Sequence, residues 1–228
     1  MLRRERDNRA PVFICYTLNA VNEPFEEKMR RGGAAALEEA SRFFMRQDKV
    51  YESLRRITKR LNDLRIPYAV AGGMALVAHG YDRTTIDVDI LIDEEGLKRA
   101  HAALDGLGYV PPFKGSKHLR DTESSVRIEF IITGQFPGDG KPKPVAFPDP
   151  RDVAVEIDGI HFLRLSTLIE LKLASGMTNP GRVHDLGDAQ KLIRELNLPR
   201  DFVQELNPYV RPTFERLWEG VAMEKADE

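Results

Sequence analysis

Two aspartates, Asp87 and Asp89, stand two residues apart in an apolar run that reads Ile86-Asp87-Val88-Asp89-Ile90-Leu91-Ile92. In a β-strand, side chains i and i+2 leave the same face. Both carboxylates then project from one side, while Ile86, Val88, Ile90 and Ile92 face a core. At about 7 Å along one strand face, the two charges repel each other unless a cation sits between them. Oxygen-only ligands suit Mg²⁺ or Mn²⁺. Upstream, a short apolar stretch (68–71) ends in Gly72-Gly73 and an Ala-rich segment follows. The spacing predicts a strand turning into a short helix over 74–79. Glycine lets the backbone come close to a ligand, and the N–H groups opening a helix favour anions such as phosphate. Thr84-Thr85 lead into the second strand and add the Thr85 hydroxyl to the nucleotide side. Taken singly, Gly-Gly is an ordinary turn and Asp-x-Asp an ordinary solvated strand face. Together, in this order, they call for a nucleoside triphosphate and a divalent metal.

Gly72-Gly73, a short helix and Asp87-Val88-Asp89 in an apolar strand form a pattern that resembles the polymerase-β-like nucleotidyltransferase superfamily. The resemblance implies, and the order of elements along the chain independently gives, an α+β fold, with a mixed sheet flanked by helices and a helical C-terminal lobe. It also implies nucleotide binding at Gly72 and Gly73, metal binding at Asp87 and Asp89, and a third acid on a later strand. Glu129 is the candidate, in Val126-Arg127-Ile128-Glu129-Phe130-Ile131-Ile132, where Val126, Ile128, Phe130 and Ile132 alternate toward one face. Glu129 is then either a third metal ligand or an ordinary exposed strand acid.

A second constellation lies downstream: Lys172, Arg182, His184-Asp185 and Asp188. Over residues 47–197 the chain resembles the AbiEii-type nucleotidyltransferases, catalytic toxins of abortive-infection and toxin–antitoxin systems. That resemblance carries over Lys172, Arg182, Asp185 and Asp188 as cleft residues. It implies a tRNA end as acceptor and a partner antitoxin. Gly73 departs from the serine of several members, and His184 from a frequent lysine. Physically, Lys172 offers a point charge to a phosphate, Arg182 a bidentate fork, and Asp185 a group to orient Lys172 or the attacking hydroxyl. The plainer alternative makes Lys172 and Glu170 a solvated helix face and the aspartates local pairs. If the functional alternative holds, Lys172→Ala weakens triphosphate binding and leaves folding intact. The loop 138–144, with Lys141 and Lys143, is either a phosphate-closing element or a proline-stiffened surface connection. Lys114, Lys117 and Arg120 form another basic cluster open to the same two readings.

The bulk numbers restrict the rest. A chain of 228 residues holds one large or two small domains. A net charge of −2 excludes general coating of nucleic acid. One cysteine, Cys15, excludes an intramolecular disulfide framework and fits the cytoplasm. No run has the length of a membrane span, so no membrane partner is expected. We expect a loosely structured extension over 1–41, a nucleotidyltransferase core over 42–163 beginning with a helix over 42–64, and a helical lobe over 164–228. The expected reaction moves a nucleoside monophosphate from a nucleoside triphosphate such as ATP to a hydroxyl of RNA, protein or a small molecule, with two Mg²⁺ or Mn²⁺ ions. The competing class is a non-catalytic nucleotide-binding or protein-interaction module on the same fold.

Overall fold

Val50, Leu54, Ile57 and Leu61 recur near helical spacing, and all four are buried. A computed structural model, describing residues 49–81 and 83–226, places them on one face of helix α1 (Lys49–Asp63). The expected extension over 1–41 and the expected helical residues 42–48 lie outside the described residues. Pro67 disfavours helix in the residue before it, and the chain turns through Arg65 at φ 51°.

The chain then forms β1 (Ala69–Val70), α2 (Gly72–Ala78), β2 (Asp87–Ile92), α3 (Glu94–Leu104), β3 (Tyr109–Val110), β4 (Leu119–Asp121) and β5 (Arg127–Ile132). A short helix α4 (Pro150–Val153) leads into the hairpin β6 (Ala154–Ile157) and β7 (Ile160–Leu163). Helices α5 (Leu165–Thr178), α6 (Val183–Glu195) and α7 (Arg211–Ala226) complete the described chain. The seven strands make one mixed sheet in the order β3-β4-β5-β2-β1-β7-β6. β2 runs parallel to β5, and β1 parallel to β7; the other neighbours are antiparallel. The fold is α+β. Among the described residues, no helix is long and apolar enough to cross a membrane.

Side-chain alternation explains the sheet's central strand. Buried Val88 and Ile90 alternate with half-buried Asp87 and Asp89, and from Ile90 to Ile92 every residue is buried. The polar end of β2 thus opens to solvent while its apolar end sits in the core, and both α1 and α2 pack on it. Full burial of each such aliphatic side chain contributes about 1.5–3 kcal/mol. The apolar core continues from Val50 on α1 to Val221 on α7. The β6–β7 turn follows from Asp158-Gly159, both at positive φ, as a tight hairpin turn requires.

Three local expectations are corrected. Ile86 was expected to face the core, but pairing of β2 with β5 begins at Asp87↔Arg127, and Ile86 is 37% exposed. The spacing of Leu97, Ala100, Leu104 and Leu107 in the sequence predicts a helix that runs to Leu107. That helix ends at Leu104, where Gly106 and Gly108 at positive φ turn the chain outward. Leu107 is 65% exposed. Finally, Ser166 before Thr167 predicts an N-cap, but α5 starts two residues sooner than a helix from Thr167 would, with Arg164 as its N-cap residue.

Candidate active site

Register decides where the acids meet. Asp89 on β2 lies directly beside Glu129 on β5, and Asp87 beside Arg127. Parallel strands in register point laterally paired residues to the same face. One oxygen from each of Asp87, Asp89 and Glu129 lies within 4.8 Å of the others, and all three residues are half-buried. Three hard oxygen donors at that spacing fit a divalent cation.

Local contacts hold each acid. The Thr85 hydroxyl donates to Asp87 Oδ1 at 3.1 Å. Arg127 pairs with Glu129, and His118 Nε2 lies 3.9 Å from Glu129 Oε1. Burial, and next the Asp87 charge, push the Asp89 carboxyl up to about 7, against the opposing pull of Lys172, Arg182 and Arg127. Burial, Arg127 and Lys117 lower the His118 imidazole below its ordinary value.

The glycines fit tightly around this group. Gly72 opens α2 at φ +59°, and a Cβ there would overlap the Asp89 carboxylate. A Cβ on Gly73 would lie 2.6 Å from Thr85 Cβ and 2.7 Å from its Oγ1. The absence of a serine at Gly73 therefore has a steric reason in this chain: Thr85 fills the space. The Ala71 amide bonds the Asp89 carbonyl at 2.9 Å, which ties the glycine turn to β2.

The second constellation is a buried network. Lys172, 8% exposed, donates to Asp185 Oδ1 at 2.9 Å and to Asp188 Oδ2 at 2.7 Å. Asp185 Oδ2 also accepts from the Ser175 hydroxyl at 2.7 Å and from Arg182 Nε at 2.9 Å. Burial pushes the Asp185 carboxyl up, but Lys172, Ser175 and Arg182 outweigh it and hold it below its ordinary range. Asp188 is paired a second time, by Arg83. Lys172 and Glu170 are thus not a solvated face; Glu170 accepts from the Asn207 amide at 2.6 Å. The burial also corrects the expectation that Lys172→Ala leaves folding intact, because truncation removes the cation that two buried carboxylates share. The field of Lys172 and Arg182 at Asp89 brings the two constellations into one neighbourhood.

The loop 138–144 is strapped down. Lys143 turns inward and donates to Pro137 O at 2.6 Å and Asp139 Oδ1 at 2.5 Å. Asn179 Nδ2 donates to Gly138 O at 3.1 Å, fastening the loop to the end of α5. Sequence spacing does not single out Arg83 or Ser175. The one signal for Arg83 is its place in the linker between the glycine pair and the Asp-x-Asp strand.

The fold and this arrangement define a nucleotidyltransferase. Residues 19–174 match the family described as "Uncharacterised nucleotidyltransferase", and the chain belongs to that family. No curated protein matches it. Among solved structures, the chain is similar to ANT(2″)-Ia in complex with adenylyl-2″-tobramycin, at 13% identity and a TM-score of 0.49, covering 72% of this chain and 96% of that one. It is also similar to JHP933 from Helicobacter pylori, at 16% identity and a TM-score of 0.43, covering 77% and 93%.

Proposed function

We propose that the chain moves a nucleoside monophosphate from a nucleoside triphosphate to the hydroxyl of an RNA end, with Asp87, Asp89 and Glu129 holding two Mg²⁺ or Mn²⁺ ions. The observation that carries this reading is the meeting of three carboxylates across β2 and β5 beside a buried lysine network. The donor set suits a hard cation, and the raised Asp89 carboxyl is a repulsion that a cation relieves. When bound, such ions neutralise charge on the phosphates and favour ionisation of the acceptor hydroxyl.

The chain's own residues orient the reaction. Gly72 and Gly73 bring backbone N–H groups to triphosphate oxygens, and Thr85 holds Asp87 in place. Lys172 supplies a fixed positive charge, Asp185 fixes Lys172, and half-exposed Arg182 is placed to fork onto phosphate. The acceptor oxygen forms its bond to the α-phosphorus as the bond to pyrophosphate breaks, and the hydroxyl proton passes to water. Positioning and charge neutralisation supply the rate. The nucleotide occupies a cleft between the sheet and the helices after residue 164.

An RNA acceptor is favoured over a polycationic small molecule by the exposed Lys114, Lys117, Arg120 and Arg127, which lie on and just before β4 and β5. A toxin role with a protein antitoxin follows from the AbiEii-type resemblance. Incubation with each labelled nucleoside triphosphate, Mg²⁺ or Mn²⁺, and total RNA, protein or aminoglycosides tests the reading. Label on RNA, lost in Asp87→Asn and Asp89→Asn, is expected. Wild type that neither transfers label nor gains stability with any triphosphate points instead to a non-catalytic module.

A further inference from the structure

We infer that Arg83 is a further substrate-binding residue, which holds the distal phosphates of the triphosphate and the pyrophosphate that leaves; the inference rests on the proposed nucleotidyl transfer. Arg83 lies in the short linker joining α2, which begins at Gly72-Gly73, to β2, which carries Asp87 and Asp89. From there its guanidinium crosses to α6 and pairs with Asp188, 105 residues away. Asp188 is already neutralised by Lys172 Nζ at 2.7 Å. The buried network therefore holds three permanent cations, Arg83, Lys172 and Arg182, against two carboxylates, Asp185 and Asp188. One positive charge is in excess.

The side chain also has unused capacity. It is 32% exposed, and among the described residues only its Nη1 makes a hydrogen bond, to Asp188. A guanidinium has five N–H donors in a fixed fork that matches phosphate oxygens two at a time. Arg83 and Lys172 share Asp188, so the two cations form one cluster and a phosphate that Lys172 neutralises lies within reach of Arg83. With the α-phosphate at the acids, Arg83 meets the β- and γ-phosphates. Asp188 holds the guanidinium ready, so that little order is lost when the phosphates arrive.

Titration of the full chain with Mg²⁺ and three probes tests this: an α,β-methylene nucleoside triphosphate, pyrophosphate, and the nucleoside monophosphate. Loss of a charge-assisted contact predicts that Arg83→Gln weakens the first two by about 10–100-fold, and the monophosphate by less than about 3-fold. Arg83→Lys keeps the charge and the Asp188 pair but loses the fork, so it falls between wild type and Arg83→Gln for the triphosphate. It also provides the readout if Arg83→Gln fails to fold. Equal loss for all three probes, or none, in a variant whose wild type binds and transfers nucleotide overturns the inference and leaves the proposed function standing. Wild type that binds no triphosphate removes both.

Discussion

Asp89→Asn is the perturbation that separates a metal site from an ordinary strand face, because it acts in opposite directions on stability and on activity. The Asp89 carboxyl is displaced from an ordinary 3.8 to about 7, first by burial and then by the Asp87 charge. Its folded-state value is raised, so the folded protein binds the proton more tightly than the unfolded chain does. Below pH 4 both states are protonated and nothing is lost. As pH rises from about 4 through 7, ionisation of the buried carboxyl costs stability, and above 7 the cost is complete. Three units at 1.36 kcal/mol each set a ceiling of about 4 kcal/mol, and relaxation of this half-buried pair halves that to about 2 kcal/mol at pH 8. At pH 5 less than half of it has developed. The neutral amide removes the cost. In chelator, Asp89→Asn should raise the melting temperature at pH 8 by about 4–8 °C, and by much less at pH 5. With Mg²⁺ and nucleotide the order reverses, since wild type gains a cation that the variant lacks a ligand to hold. Equal shifts at both pH values, or a loss of stability at pH 8 without metal, would refute the electrostatic argument. Full metal-dependent transfer by the variant would refute the chemistry.

Lys172→Ala removes the cation shared by buried Asp185 and Asp188, which keep Arg182 and Arg83, and should cost about 1–3 kcal/mol, read as an earlier urea midpoint; an unchanged midpoint contradicts the buried network. Gly73→Ser places a Cβ against Thr85 and should cost about 1–3 kcal/mol, with most of it recovered in the Gly73→Ser/Thr85→Ala double variant. A double-mutant cycle with no coupling means that Thr85 is not the obstacle. Arg182→Ala removes a half-exposed partner of Asp185, so its stability cost stays under about 1 kcal/mol. On the proposed reading it still weakens triphosphate binding in the same titration, and normal affinity would assign Arg182 to the surface.

The acids were legible because strands carry a period of two. Asp87 and Asp89 share a face by alternation alone, and Glu129 could be nominated the same way from the apolar positions around it. Their register could not be read, because the Asp89↔Glu129 pairing depends on how β5 docks. The fold class followed from element order, and the β6–β7 turn from Asp158-Gly159. What escaped is what depends on contacts distant in sequence. The helical period of 165–178 does not reveal that Lys172 faces inward, since that helix has apolar residues on every side and is buried around most of its circumference. Arg83 sits in a linker with no period at all, and its partner lies on α6. Lys143 reads as a surface cation until the strap to Thr178 and Asn179 is seen. Helix ends failed where positive-φ glycines, rather than hydrophobicity, stopped the run at Leu104.

The two charge clusters make most sense taken together. A buried lysine with two carboxylates is a poor way to gain stability, since well-packed apolar residues usually serve as well or better. What such a network does supply is a cation whose place is fixed before any ligand arrives. Lys172 is held by two carboxylates, Asp185 by three donors, and Asp188 by two cations. Across from them, Asp87, Asp89 and Glu129 crowd three acids into a space where one already resists ionisation. One cluster carries excess positive charge; in the other Arg127 neutralises Glu129, and Asp87 and Asp89 still repel each other. On the proposed reading, a triphosphate with its divalent ions carries both complements, phosphate oxygens for the cations and metal for the acids. Charge fixed in advance needs no reorganisation as the α-phosphorus changes partners, and that is the physical return on a network that contributes little as a source of stability.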